Sequence, residues 1–311
     1  MDVKTIEVEM LGTKLACRNY WCSHCKDLPG EVMETPRSIF YLMATNKCNG
    51  LCPMCEIKRK YLALPEPEPD EDKLERTLTD LYNKDLISKI SMTGGDPLFD
   101  PQRTNKLLRT IYKVNPEAVV DITTNGSMLQ NLEKLEHIAN LATIHISRHH
   151  FETARNNQVF GVKTSTQFGL KYYASQYPGK VSLNCCLIPN YIDSPELVER
   201  YLDWAATIKN LKSAGFISLM NKNEFCRTSN VAEEKILEWI DNDPNNFDHN
   251  YNYDTDICEC RVWKRIPKNY VPLTSFWWKV NRQEVPYCRQ LIFTADNRIM
   301  VNFNEMSEIS Y

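Results

Sequence analysis

The chain has 311 residues, with 37 Lys and Arg against 40 Asp and Glu, a net charge of −3 and 42% hydrophobic residues. That length suits one large α/β domain with extensions, or two modest domains, and the apolar share is enough for a sizeable core. The slight acidity argues against a nucleic-acid polyelectrolyte as the main partner. No apolar run reaches the length of a membrane span and no secretion signal opens the chain, so the expected compartment is the cytoplasm. Without such a signal, twelve cysteines read as metal ligands and reduced thiols rather than a disulfide scaffold.

In chain order, Ile6, Val8 and Met10 alternate like one strand face, and Thr13 to Cys17 forms a second strand. Residues 1–37 are thus a short extension, and they carry Cys22 and Cys25 at metal-ligand spacing. Two ligands do not complete a site, and thiols in a turn are the plain alternative. The strand Ser38 to Ala44 runs into Lys47-Cys48-Asn49-Gly50-Leu51-Cys52-Pro53-Met54-Cys55, a C-x3-C-x2-C run. Prolines alternating with acids over residues 64–72 favour an extended surface loop. A helix follows, marked by Leu74, Leu78 and Leu81.

Leu86 to Thr93 is a strand ending in Gly94-Gly95-Asp96-Pro97. Asp100-Pro101 is an N-cap and N1 pair opening a helix with Leu107, Leu108 and Ile111. Val119 to Thr123 ends in Thr124-Asn125-Gly126, and Leu132, Leu135 and Ile138 mark another helix. Thr143 to Ser147 ends in Arg148-His149-His150, and a looser region, Phe151 to Val162, precedes a helix near Gln167 to Ser175. Val181 to Ile188 is a strand, Ser194-Pro195 opens a helix, Gly215 to Met220 is a strand and Val231 to Ile240 a helix. Asn242 to Tyr253 reads as a linker. The end carries Cys258, Cys260, three tryptophans, Cys288 and a hairpin with its turn at Asp296-Asn297.

Six strands alternating with helices imply a parallel sheet, with strand interiors apolar rather than cleanly alternating. Periodicity leaves open whether the sheet is curled or doubly wound. The division expected is residues 1–37, a core over 38–240, and a C-terminal extension over 241–311.

A tight loop of this spacing can turn three thiolates toward one point. A cubane iron–sulfur cluster takes four, so three leave one iron open, as catalytic zinc sites keep an open position. Half a zinc site or a chance cluster of cysteines is the alternative. The triplet at a strand end, followed by Gly-Gly-Asp-Pro at the next, resembles the radical S-adenosylmethionine (SAM) superfamily over roughly Ser38 to Met220.

The resemblance implies a partial (β/α)6 TIM barrel with short N-terminal and C-terminal β-hairpin extensions. It also implies Cys48, Cys52 and Cys55 as ligands of a [4Fe–4S] cluster, and SAM chelating the open iron. One electron then cleaves SAM to a 5′-deoxyadenosyl radical, with a one-electron reductant such as flavodoxin or ferredoxin as partner. Met54 matches the position beside the adenine, where many relatives have an aromatic. Gly94, Gly95, Asp96 and Pro97 match the family's Gly-Gly-Glu-Pro, with Asp in place of Glu, whose backbone meets the amino group of SAM.

At the next strand ends the resemblance offers Thr124 and Asn125, then Ser147 first and Arg148 second for the ribose or carboxylate. A turn with local side-chain caps is the alternative for Thr124-Asn125, and His149 and His150 are structural or substrate-facing. Asn184 and Cys186 share a strand face, with Cys186 a candidate for a chemical role. The tail loosely resembles the twitch or SPASM extensions, so Cys22, Cys25, Cys258, Cys260 and Cys288 are candidates for an auxiliary cluster; the alternative is a hairpin lid. The expected substrate is a small metabolite, ahead of a ribosomally made peptide or protein and then RNA. From a different class, the alternative is a redox-inert iron–sulfur or zinc binding module.

Overall fold

In a computed structural model of the chain, residues 5–18, 20–21, 31–32, 38–55, 63–219, 223–229, 231, 233–244, 247–254, 258–265, 275–281, 288, 290–302 and 307–311 are described. An N-terminal hairpin pairs β1 (Thr5–Met10) with β2 (Thr13–Arg18). Its turn residues Leu11 and Gly12 have φ of 51° and 71°, the double positive pair of a type I′ turn. The two-residue strands β3 (Tyr20–Trp21) and β4 (Glu31–Val32) pair with each other. Cys22 and Cys25 lie outside the described residues.

The core strands are β5 (Ser38–Thr45), β6 (Ile87–Gly94), β7 (Val120–Thr124), β8 (Thr143–Ser147), β9 (Val181–Cys186) and β10 (Ser213–Ile217). They are parallel and lie side by side in sequence order. A doubly wound sheet reverses its order at a switch point; an unbroken run is the winding of a barrel. The helices are α1 (Glu71–Asn83), α2 (Pro101–Val114), α3 (Thr153–Phe160), α4 (Gln167–Gln176), α5 (Pro195–Ala206), α6 (Glu224–Thr228) and α7 (Glu233–Asp241). Side chains of Asp70, Asp100 and Ser194 cap α1, α2 and α5, with Pro101 and Pro195 in the first turns, as proline's fixed φ favours.

Leu74, Leu78 and Leu81 of α1 are fully buried, each contributing about 1.5–3 kcal/mol of hydrophobic stabilisation. They belong to one buried cluster with Ile90, Met92, Val120, Ile122, Ile144, Ile146 and Leu183 of the strands. The opposite strand face is polar: Lys89, Ser91 and Thr93 on β6, Asp121 and Thr123 on β7, Thr143, His145 and Ser147 on β8, Ser182, Asn184 and Cys186 on β9. This corrects the expected uniformly apolar strands. An α/β layer needs its apolar face only where helices pack, and the other face here carries a buried Lys89–Asp121 ion pair at 2.8 Å.

Three further expectations change. Residues around Leu132 and Ile138 form 3-10 turns, Leu129–Lys134 and Ile138–Asn140, rather than an α-helix. The loose region contains α3, and the Asn-rich linker contains β11 (Phe247–Asp254). β11 pairs with β12 (Cys258–Arg265), and β12 with β13 (Ser275–Asn281). β13 then lies parallel to β10, while β14 (Gln290–Phe293) lies parallel to β5 and forms the expected hairpin with β15 (Ile299–Val301). β16 (Ser307–Ile309) closes that edge. The C-terminal segment thus lengthens the parallel sheet at both ends.

Candidate cofactor site

The cysteine loop leaves the C-terminal end of β5, and that strand end is clamped from every side. Gly95 N donates to Thr45 O at 2.6 Å and Asp96 N to Lys47 O at 2.9 Å. A Cβ on Gly95 would stand 2.0 Å from Lys47 O, and one on Gly94, at φ +120°, 2.5 Å from Thr45 O. The two glycines are there because the β6 end passes against the β5 backbone with no room for a side chain. From the other side, the proline loop turns Glu66 inward, its side chain 8% exposed. Glu66 accepts from Asn46 N at 2.7 Å and Thr45 Oγ1 at 2.8 Å. Arg103 of α2 donates to Ala44 O, Pro67 O and Ala295 O, joining strand, proline loop and C-terminal hairpin.

The loop itself rests on α3, with Leu51 N donating to Phe160 O at 2.7 Å. Gly161, which ends α3 with φ +64°, leaves room for the Leu51 side chain. Asn223 at the start of α6 donates to Pro53 O at 3.3 Å. Gly50 lies between two thiols: a Cβ there would be 3.4 Å from Cys48 Sγ and 3.6 Å from Cys52 Sγ. Met54 is half-buried beside Cys55.

Burial, reinforced by the neighbouring Cys55 and Cys48, pushes the Cys52 thiol up to about 12; burial also raises Cys48. Thiols that burial and neighbouring cysteines keep protonated give up their protons only to a cationic centre that compensates the charge, so the donor set fits an iron–sulfur cluster. Among the described residues no three His, Cys, Asp or Glu side chains converge tightly enough for a single metal ion. A cubane takes its thiolates on separate irons, so its ligands stand farther apart than those of one zinc.

Asp96 is 1% exposed. Its carboxylate accepts from Thr124 Oγ1 at 3.0 Å, Asn125 N at 2.9 Å and Leu98 N at 3.0 Å, and burial raises its pKa. It ties the ends of β6 and β7 together, and Pro97 follows it into a buried turn. Thr124 is occupied by that carboxylate, whereas Asn125 reaches the loop, its Nδ2 3.6 Å from Cys48 Sγ. Ser147 is partly exposed at the end of β8, and its hydroxyl has no hydrogen-bond partner among the described residues.

Arg148 is placed otherwise than expected. It is 1% exposed, with Nε donating to His150 O, Nη1 to Ser165 O, and Nη2 to Phe151 O and Thr153 Oγ1, all within 2.8–3.1 Å. Four of its five N–H groups are thus committed to the chain, which corrects its reading as a carboxylate partner. His149 accepts from Cys186 N at 3.0 Å and stacks on Phe160. Burial, with Arg148 adjacent, takes its pKa down to about 3, a neutral structural imidazole.

Cys186 is partly exposed at the end of β9, and burial of its thiol, then Cys226, pushes it up to about 12. A cavity of about 450 Å³ opens there, lined by Leu187, Cys226, Arg227, Ser229 and Glu233. Of the auxiliary candidates, Cys258 and Cys260 lie on β12, and Cys288 forms a backbone bridge to Cys17. Cys17, buried in the N-terminal hairpin, is the partner that sequence spacing did not single out. Asn49, Glu66 and Arg103 were likewise missed; each acts across at least 20 residues of chain.

The model of the Radical SAM superfamily matches residues 42–221, more than half of the chain. The chain belongs to the Radical SAM superfamily. It is a radical SAM enzyme by family, with a [4Fe–4S] cluster and SAM as cofactors. It is similar to a GTP 3′,8-cyclase of Microcystis aeruginosa, 26% identical over 61% of this chain and 60% of that protein. A GTP 3′,8-cyclase of Lactiplantibacillus plantarum is 25% identical over 63% of each. The match therefore spans about three fifths of the length of these relatives. In fold it resembles SuiB of Streptococcus suis bound to S-adenosylmethionine, with a TM-score of 0.60 and 12% identity over 89% of this chain and 63% of that one. That likeness supports the partial-barrel architecture. No helix among the described residues is long and apolar enough to cross a membrane.

Proposed function

We propose that this radical SAM enzyme holds its cluster on Cys48, Cys52 and Cys55, cleaves SAM reductively, and abstracts hydrogen from a small molecule in a biosynthetic pathway. The observation that carries the reading is the clamp on the β5 end, where Gly94, Gly95 and Asp96 hold the backbone that presents the three thiols. When bound, the reduced cluster and SAM supply a 5′-deoxyadenosyl radical, and the protein's share is orientation and exclusion of water. Backbone carbonyls of Gly94–Pro97 and the Ser147 hydroxyl would hold SAM, since Gly95 N and Asp96 N already donate to the β5 end. Thr124 acts indirectly, by fixing Asp96.

The cavity beside Cys186 is the substrate entrance in this reading, bordered by opposite charges at Arg227 and Glu233. The curated relatives, named for a reaction of GTP, support a small molecule over a peptide.

The test is anaerobic reconstitution followed by reduction with SAM, using dithionite or flavodoxin as the electron source. The intact chain yields 5′-deoxyadenosine, whereas Cys52→Ala yields none; retained cleavage in that variant refutes the ligand assignment. With GTP as the first deuterated compound assayed, label moving into 5′-deoxyadenosine supports the small-molecule reading. Label arriving from a peptide instead overturns it.

A further inference from the structure

Asn125 follows β7 directly and is 8% exposed. The orientation of its amide is fixed by a group that can only donate: Ser127 N gives its hydrogen to Oδ1 at 2.8 Å, so Nδ2 faces the other way. There it meets Asn49 Oδ1 at 3.0 Å and Cys48 Sγ at 3.6 Å, the latter a hydrogen-bonding length for the larger sulfur atom. The Asn125 backbone is held as firmly, its N–H donating to Asp96 Oδ2 at 2.9 Å. Cys48 Sγ also accepts from Gly50 N at 3.2 Å. A relay thus runs from the buried Asp96 carboxylate through Asn125 to the sulfur of one cysteine.

We propose that Asn125 is a positioning residue whose side-chain N–H···S bond to Cys48 raises the reduction potential of the cluster. The inference rests on the cluster assignment made above. One-electron reduction adds negative charge that is shared with the sulfurs. A donor aimed at a ligand sulfur stabilises that state more than the oxidised one, and hydrogen bonds to sulfur are among the levers that set such potentials. Asp96 gains a role through this relay: a carboxylate too enclosed to reach SAM serves by aiming the amide.

The experiment is an EPR-monitored redox titration of the full reconstituted chain, comparing wild type with Asn125→Ala and Asn125→Asp at matched iron content. Asn125→Ala is expected to shift the midpoint negative, and Asn125→Asp further, since it removes the donor and adds charge while keeping an acceptor for Ser127 N. An unchanged or positive midpoint in a fully loaded Asn125→Ala chain overturns the inference. Should both variants fail to load, the unsubstituted chain decides. Labelled with ¹⁵N in its asparagine side chains, it should show ¹⁵N coupling to the reduced cluster by pulsed EPR, and no coupling overturns the inference. A wild-type chain that takes up no cubane refutes the ligand assignment itself, an outcome distinct from a loaded cluster with an unmoved potential.

Discussion

The ends of β6 and β8 look alike in sequence. Each closes a strand of alternating apolar and polar residues with a short run of small or polar ones, Gly94-Gly95-Asp96 in one and Ser147-Arg148-His149-His150 in the other. In space they do opposite work. The β6 end turns its backbone towards the cysteine loop and approaches within van der Waals range of Lys47. The β8 end turns its largest side chains away, with Arg148 spent on three carbonyls and a hydroxyl and His149 under Phe160. Polarity at a strand's C-terminal end is therefore a weak guide to ligand contact. A charge that is fully buried must find partners in the chain first, and only what is left over can serve a cofactor.

Gly95→Ala strikes the β6 end hardest. Its Cβ would need the Lys47 carbonyl to retreat, one residue before Cys48. Iron uptake on reconstitution should fall by roughly tenfold or more, the scale on which supports of metal ligands act. Loading equal to wild type would mean that the glycine pair holds nothing in place.

Arg148→Met tests the β8 end. It leaves carbonyls of His150, Ser165 and Phe151 without their donor, at about 1–3 kcal/mol for each that water cannot reach. A clear loss of thermal stability is expected, while SAM affinity of the folded chain at low temperature stays near wild type. A large loss of SAM affinity with stability intact would restore Arg148 as a cofactor contact.

The same contrast explains how far the sequence could be read. The six parallel strands and most of the helices between them were legible because periodicity and caps are local, and Asp100 and Ser194 cap as their positions imply; the 3-10 turns between β7 and β8 were not. α3 was not, since Thr153–Phe160 is asparagine-rich and is held by tertiary bonds such as His149 N to Asn156 Oδ1. β11, full of Asn, Asp and Tyr, becomes a strand because β12 offers it a paired edge. In the site, the cysteines and glycines were legible as a motif. Glu66 was hidden because its contact to Asn46 spans 20 residues, and Arg148 was misread because burial leaves no mark on a single residue name.

A pH titration probes the β8 end without mutation. His149 accepts from Cys186 N and so must stay neutral, and its pKa lies at about 3 against an ordinary 6.5. The unfolded chain therefore binds the extra proton first. The stabilisation is complete above about pH 6.5 and is lost progressively as the pH falls towards 3. Chemical denaturation across that window should show stability declining with acid, and His149→Gln should flatten the slope. An unaltered slope in the variant would assign the acid sensitivity to other groups.

Ser147→Ala is the gentlest and most discriminating change, because it isolates a partly exposed β8-end hydroxyl that the fold leaves unbonded among the described residues. Its hydroxyl has no partner among the described residues, so removing it should leave thermal stability within experimental error. A single hydrogen bond to SAM contributes about 0.5–1.5 kcal/mol net, so the dissociation constant for SAM should rise by about 2- to 10-fold, read by calorimetry on the reconstituted chain. Unchanged affinity would show that β8 contributes only scaffold, and would leave the β6 backbone as the cofactor-facing strand end of the pair.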